Sequence, residues 1–122
     1  MRQSLITSIL RAVRGIALAF THEPNMRREC AAGLLMLILL FALPLALWER
    51  LLLLVVAALV LVVELVNTTL ERLLNIVKPQ FHEEVRDSKD MAAGAVLIAS
   101  ALALAVGVAI FGPYALFMIS HV

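Results

Sequence analysis

Three apolar stretches of near-membrane length dominate this chain: Cys30–Trp48, the run that opens at Leu51, and Met91–Phe111. A bilayer's hydrocarbon core is about 30 Å thick and takes about 20 apolar residues in a helix to cross. The middle stretch has no polar side chain from Leu51 to Val63 and then meets a carboxylate, Glu64. A charge at that depth costs on the order of 2.5–3.5 kcal/mol on insertion scales, so it needs partners or a task. The chain is 63% hydrophobic, against about 45–50% in soluble domains. It therefore reads as an all-α integral membrane protein, and 122 residues leave room for one domain, 1–122, of a few helices.

Residues 4–20 place Leu5, Ile9, Ala12, Val13, Ile16 and Phe20 at helical spacing, with Arg11 and Arg14 among them. This pattern predicts an amphipathic helix in the membrane surface, its arginines at headgroup level. The N-terminus lacks the continuous apolar core and small-residue cleavage site of a signal peptide, so residue 1 is taken as part of the mature protein. Pro24 punctuates the helix and suits the first turn of the next. Spans are expected at about 29–48, 51–74 and 90–118. Pro44 is placed to kink the first, Trp48 marks its far interface, and Gly112-Pro113 can end or bend the third. Asp87-Ser88-Lys89-Asp90 resembles a capped start for that third helix, and 80–87 is expected as a polar connection.

Five arginines lie at or before position 28, and Arg72, Lys78, Arg86 and Lys89 surround the second polar island, whereas the far turn has only Arg50. The positive-inside rule then puts the N-terminus and the 71–90 connection in the cytoplasm and the C-terminus outside. The densest charge faces the compartment that holds ATP. Cys30 is the one cysteine, which excludes an internal disulfide, and no spacing points to a structural metal site.

Glu64, Asn67, Thr68 and Glu71 fall at roughly 0°, 300°, 40° and 340° on a helix, one polar stripe on an oily cylinder. Glu71, at the interface, can hold a divalent cation through hard oxygen ligands. Glu64, partly removed from water, is the candidate proton acceptor. Lys89-Asp90 at a helix start would add amide dipoles suited to phosphate. These parts describe a phosphoryl-transfer site without a P-loop, since no GxxxxGK[ST] or kinase glycine loop is present. Intramembrane Glu and Asn can alternatively glue helices together in a non-catalytic bundle or transporter subunit. Glu23 alone reads as a helix-start residue and His82 as a loop histidine.

With Glu23, Met26-Arg27-Arg28-Glu29, Glu64-Leu-Val-Asn67-Thr-Thr-Leu-Glu71, His82 and Lys89-Asp90-Met91-Ala92-Ala93-Gly94-Ala95-Val96 in place, the chain resembles the prokaryotic diacylglycerol kinase family, which includes undecaprenol kinases. The resemblance covers nearly the whole chain. It implies a homotrimeric bundle of three-span subunits, each with an N-terminal surface helix, in the bacterial cytoplasmic membrane. Active sites would be shared between subunits, with MgATP as phosphoryl donor and no nucleic-acid partner. By the same resemblance Glu64 is the catalytic base toward a lipid hydroxyl and Glu23 and Glu71 bind Mg²⁺ with ATP. Gln80, His82, Lys89 and Asp90 contact the nucleotide, and Asn67 orients Glu64. Arg11, Arg14, Arg27 and Glu29 join Glu64 as expected lipid contacts. A carboxylate is common in that family where Asn75 stands here. Diacylglycerol is the first expected acceptor and undecaprenol the second.

Overall fold

A computed structural model describes residues 4–77 and 82–122, and all four elements among them are helices: α1 (Leu5–His22), α2 (Pro24–Ala42), α3 (Leu47–Val77) and α4 (Glu83–Ser120). Local chemistry sets their ends. Ser4 caps α1, its Oγ accepting the Thr7 amide at 3.2 Å. Glu23 is extended (φ −114°, ψ 110°) because it precedes Pro24, which disfavours the helical conformation in the residue before it and opens α2 itself. The α1–α2 joint is therefore a single residue wide, and that residue is Glu23.

The same rule ends α2 earlier than the expected span 29–48. Leu43 is extended ahead of Pro44, so the proline terminates the helix at Ala42 instead of kinking it, and Trp48 lies in the first turn of α3. The expected span 51–74 extends at both ends. Pro113, by contrast, stands within α4, which continues unbroken to Ser120. The third span begins earlier than expected as well. His82 caps α4, Nδ1 accepting the Glu84 amide at 3.3 Å, so residues 83–87 are helical and Asp87-Ser88-Lys89-Asp90 lies inside the helix instead of starting it.

By length and composition α1, α3 and α4 are able to cross a bilayer. The α2 sequence, though one residue longer than α1, holds Arg27, Arg28 and Glu29 near its start. At about 1.5 Å per residue, α3 and α4 are roughly 46 and 57 Å long, so both outreach the hydrocarbon. Much of their outer surface is oily: Ile76 is 83% exposed and Ile98 72%. Apolar side chains spread so widely over the exterior suit hydrocarbon as the solvent, and the chain is a multi-pass membrane protein.

The tightest packing lies at the α2–α3 turn. Leu40, Leu45, Leu53 and Ile110 form a buried cluster, with Met36, Val106 and Phe111 against it. Beside it, Tyr114 Oη donates to Glu49 Oε1 at 3.0 Å and lies 3.3 Å from the Pro44 carbonyl. Glu49 Oε1 also accepts the Ala46 amide at 2.9 Å, and Arg50 Nη2 donates to the Leu43 carbonyl at 3.4 Å. This polar knot fastens α4 to the turn and satisfies backbone groups that α2 and α3 leave open at their ends. The opposite end of α3, where α1 and α2 also approach, carries the acidic residues.

Candidate phosphoryl-transfer site

The polar stripe survives intact because α3 runs without a break from Leu47 to Val77. Glu64, Asn67 and Glu71 are half-buried and Thr68 is buried, while Val66, Thr69 and Leu70 between them are exposed and Leu65 is half-buried. The stripe thus faces the other helices instead of the surroundings. Roughly 9 Å of helix continues past Glu71, so the two carboxylates are at different depths, about 10 Å apart along the axis.

Two further carboxylates come to this stripe from the start of α2. Glu23 at the joint and Glu29 in the helix are half-buried, and both, with Glu71, lie near enough for their charges to act on Glu64. Glu23 and Glu71 thus lie within electrostatic reach of Glu64, and so does Glu29, which the sequence offered only as a lipid contact. None of the four makes an ion pair among the described residues. Repulsion within such a group of like charges is relieved by a bound cation or by protonation.

No three His, Cys, Asp or Glu side chains among the described residues converge into a metal cage. Mg²⁺ is commonly bound by one or two protein carboxylates together with substrate phosphates and water, and the hard oxygens of these carboxylates suit it.

Asn67 stands one turn from Glu64, and its Oδ1 is buried with no hydrogen-bond partner. A buried carbonyl oxygen without a donor is uncommon and costs about 1–3 kcal/mol. It is a ready acceptor for a proton-bearing group arriving beside Glu64.

Lys89 and Asp90 are placed differently from expectation. They lie two turns inside α4, so their amides belong to the helix ladder and offer no free N-terminal dipole; Glu83 and Glu84 occupy the first turn instead. Lys89 is half-buried and Nζ donates to Asn75 Oδ1 of α3 at 2.6 Å, while Asp90 is exposed. His82 is an exposed helix cap 3.9 Å from the Glu84 carboxylate. Gln80 lies outside the described residues. Arg11, Arg14 and Arg27 are exposed and are not drawn into the carboxylate group. The Lys89–Asn75 pairing was missed by sequence reasoning. Continuing the stripe one turn beyond Glu71 would have reached Asn75, but nothing in the sequence pairs it with a residue of α4.

An apolar groove of about 620 Å³ runs between α2, α3 and α4, lined in part by Ala32, Met36, Ala57, Ala103 and Gly107. A smaller recess of about 150 Å³ shares Ala32, Met36, Ala57 and Ala103 with it and has Glu29 on its wall. Both recesses are apolar, and Glu29 is the carboxylate on the wall of the smaller one.

Comparison with known proteins agrees with this chemistry. The family described as "Prokaryotic diacylglycerol kinase" matches residues 11–111. A diacylglycerol kinase of Synechocystis is 33% identical over 85% of this chain, which spans 60% of that protein's length. An undecaprenol kinase of Bacillus subtilis is 29% identical over 87% of the chain and 86% of its own length. A diacylglycerol kinase of Escherichia coli K12 is 32% identical over 75% of each.

Proposed function

Because the chain belongs to the prokaryotic diacylglycerol kinase family of lipid kinases, we propose that it transfers the γ-phosphoryl group of ATP to a lipid alcohol at the cytoplasmic membrane face, with diacylglycerol as first acceptor and phosphatidate as product. The observation that carries this reading is the group of four carboxylates, without cationic partners among the described residues, beside an apolar groove. Charge for a metal–nucleotide and room for a hydrocarbon chain meet there. The closeness of undecaprenol kinase, which this chain matches over most of its length, makes undecaprenol the second acceptor.

Glu64 accepts the lipid hydroxyl proton as the oxygen attacks the γ-phosphorus and the bond from that phosphorus to the β-phosphate oxygen breaks, releasing ADP. Asn67 Oδ1 fixes the position of the protonated group beside it. Glu23 and Glu71 would hold Mg²⁺, which would offset phosphate charge. Lys89 adds a cation for the phosphate oxygens, with Asp90 and His82 beside the nucleotide. Positioning and charge neutralisation of this kind carry most of the catalysis in phosphoryl transfer. Glu29 and the exposed Arg11, Arg14 and Arg27 face the lipid headgroup, and α1 lies in the membrane surface as a gate between bilayer and site. Although α1 is apolar enough to cross, its two central arginines and its joint at Glu23 favour the interface. The N-terminus is then cytoplasmic and the C-terminus outside. Three subunits pack their oily faces together, which completes each site.

The test is a competition assay in which purified protein receives diacylglycerol and undecaprenol together with labelled MgATP. Label is expected chiefly in phosphatidate. Label chiefly in undecaprenyl phosphate reverses the order of acceptors, and label in neither lipid contradicts the kinase reading.

A further inference from the structure

Two side-chain hydrogen bonds join α3 to α4 among the described residues, one at each end: Tyr114 to Glu49 and Lys89 to Asn75. The first belongs to the polar knot at the turn. The second lies one turn beyond Glu71 on α3, and its chemistry is unusual for a lysine in so acidic a neighbourhood. The carboxylates at the start of α4 have cationic neighbours of their own: Arg86 lies 4.0 Å from Glu83 and 3.9 Å from Asp87, and His82 lies 3.9 Å from Glu84. Lys89 has no carboxylate partner among the described residues, and its ammonium is held at 2.6 Å by a neutral amide oxygen.

We propose that Asn75 is a positioning residue that holds Lys89 over the phosphate end of the site without neutralising it. An ammonium has three donors, and Asn75 Oδ1 uses one, leaving two for phosphate oxygens. Asn75 follows Glu71 by four residues and so continues the same helix face. The hydrogen bond ties the cation of α4 to the metal-binding side of α3. A carboxylate at this position would hold Lys89 more strongly, but the charge would be spent on an internal ion pair that the nucleotide must displace. Asn75 thereby sets affinity for the polyphosphate while leaving the lipid side untouched.

This inference rests on the reading of Lys89 as a nucleotide contact, and the experiment separates the two. Asn75→Asp, Asn75→Ala, Lys89→Ala and the double variant Asn75→Asp/Lys89→Ala are purified, checked for assembly, and assayed for kcat and for KM of MgATP and lipid at low and high salt. Asn75→Asp is expected to raise KM for MgATP about fivefold, the size of a partly exposed ion pair that must first be broken. The rise should shrink at high salt, with KM for lipid unchanged. Asn75→Ala should raise it less and without salt dependence. The double variant should match Lys89→Ala, as expected if Asn75 acts only through Lys89. A wild-type KM for MgATP in Asn75→Asp, or a rise that persists when Lys89 is absent, overturns the positioning role. An unchanged KM in Lys89→Ala instead overturns the nucleotide contact itself and, with it, the role of Asn75.

Discussion

Glu64 is the residue for which the fold must account: a half-buried carboxylate with three others acting on it and a buried amide oxygen one turn away. If Asn67 fixes the group that carries the transferred proton, Asn67→Ala should lower kcat by about tenfold to a hundredfold while leaving KM for MgATP near wild type, and Asn67→Asp should not restore it. Steady-state kinetics with both substrates varied measure this. Removal of Mg²⁺ by a chelator should abolish turnover, and replacement of Glu71 by Gln should demand a higher Mg²⁺ concentration for half-maximal rate, as expected when one of two carboxylate ligands is lost. The spacing of Glu64, Asn67 and Glu71 was legible in the sequence because a single helix converts spacing directly into a face. Glu29 was not, since its approach to Glu64 depends on how α2 lies against α3.

At the scale of elements, prolines and one tyrosine decide where the helices stop and how they are held. Pro24 makes Glu23 a joint, and Pro24→Ala should let α1 and α2 fuse, drawing Glu23 away from the stripe. Loss of activity with retained helix content by circular dichroism is the expected outcome. Tyr114→Phe removes a hydrogen bond to the charged Glu49 and leaves that carboxylate in the partly buried knot. A loss of about 1.5–3 kcal/mol in stability is expected, read as a lower unfolding midpoint in detergent, with the site at the other end little affected. The number of helices and their order were legible in the apolar runs. Helix ends were less so. Pro44 and Pro113 are the same residue type inside similar apolar runs, yet one ends its helix and the other is carried through, because the chain must turn after Ala42 while α4 continues to Ser120. The start of α4 was hidden for a related reason: His82 is an uncommon cap, and Asp87-Ser88 imitates a better one.

The whole molecule is a slender set of helices with little interior of its own. Its compact core lies at the α2–α3 turn, and most of its large apolar side chains face outward. Phosphoryl transfer from ATP requires the carboxylate end to be cytoplasmic. With Cys30 replaced by Ala, cysteines introduced at Ser4 and Ser120 should be labelled by a membrane-impermeant reagent from opposite sides of the bilayer; labelling from the same side contradicts the proposed orientation. The central claim is that Glu64 takes the proton from a lipid hydroxyl during phosphoryl transfer from ATP. Its most direct test is turnover of Glu64→Gln, purified in lipid with diacylglycerol and labelled MgATP, alongside its assembly state and nucleotide binding. Wild-type assembly and nucleotide binding are expected, with turnover reduced by about 10²–10⁴-fold. Near-normal phosphorylation by that variant would contradict the role of Glu64 as the base.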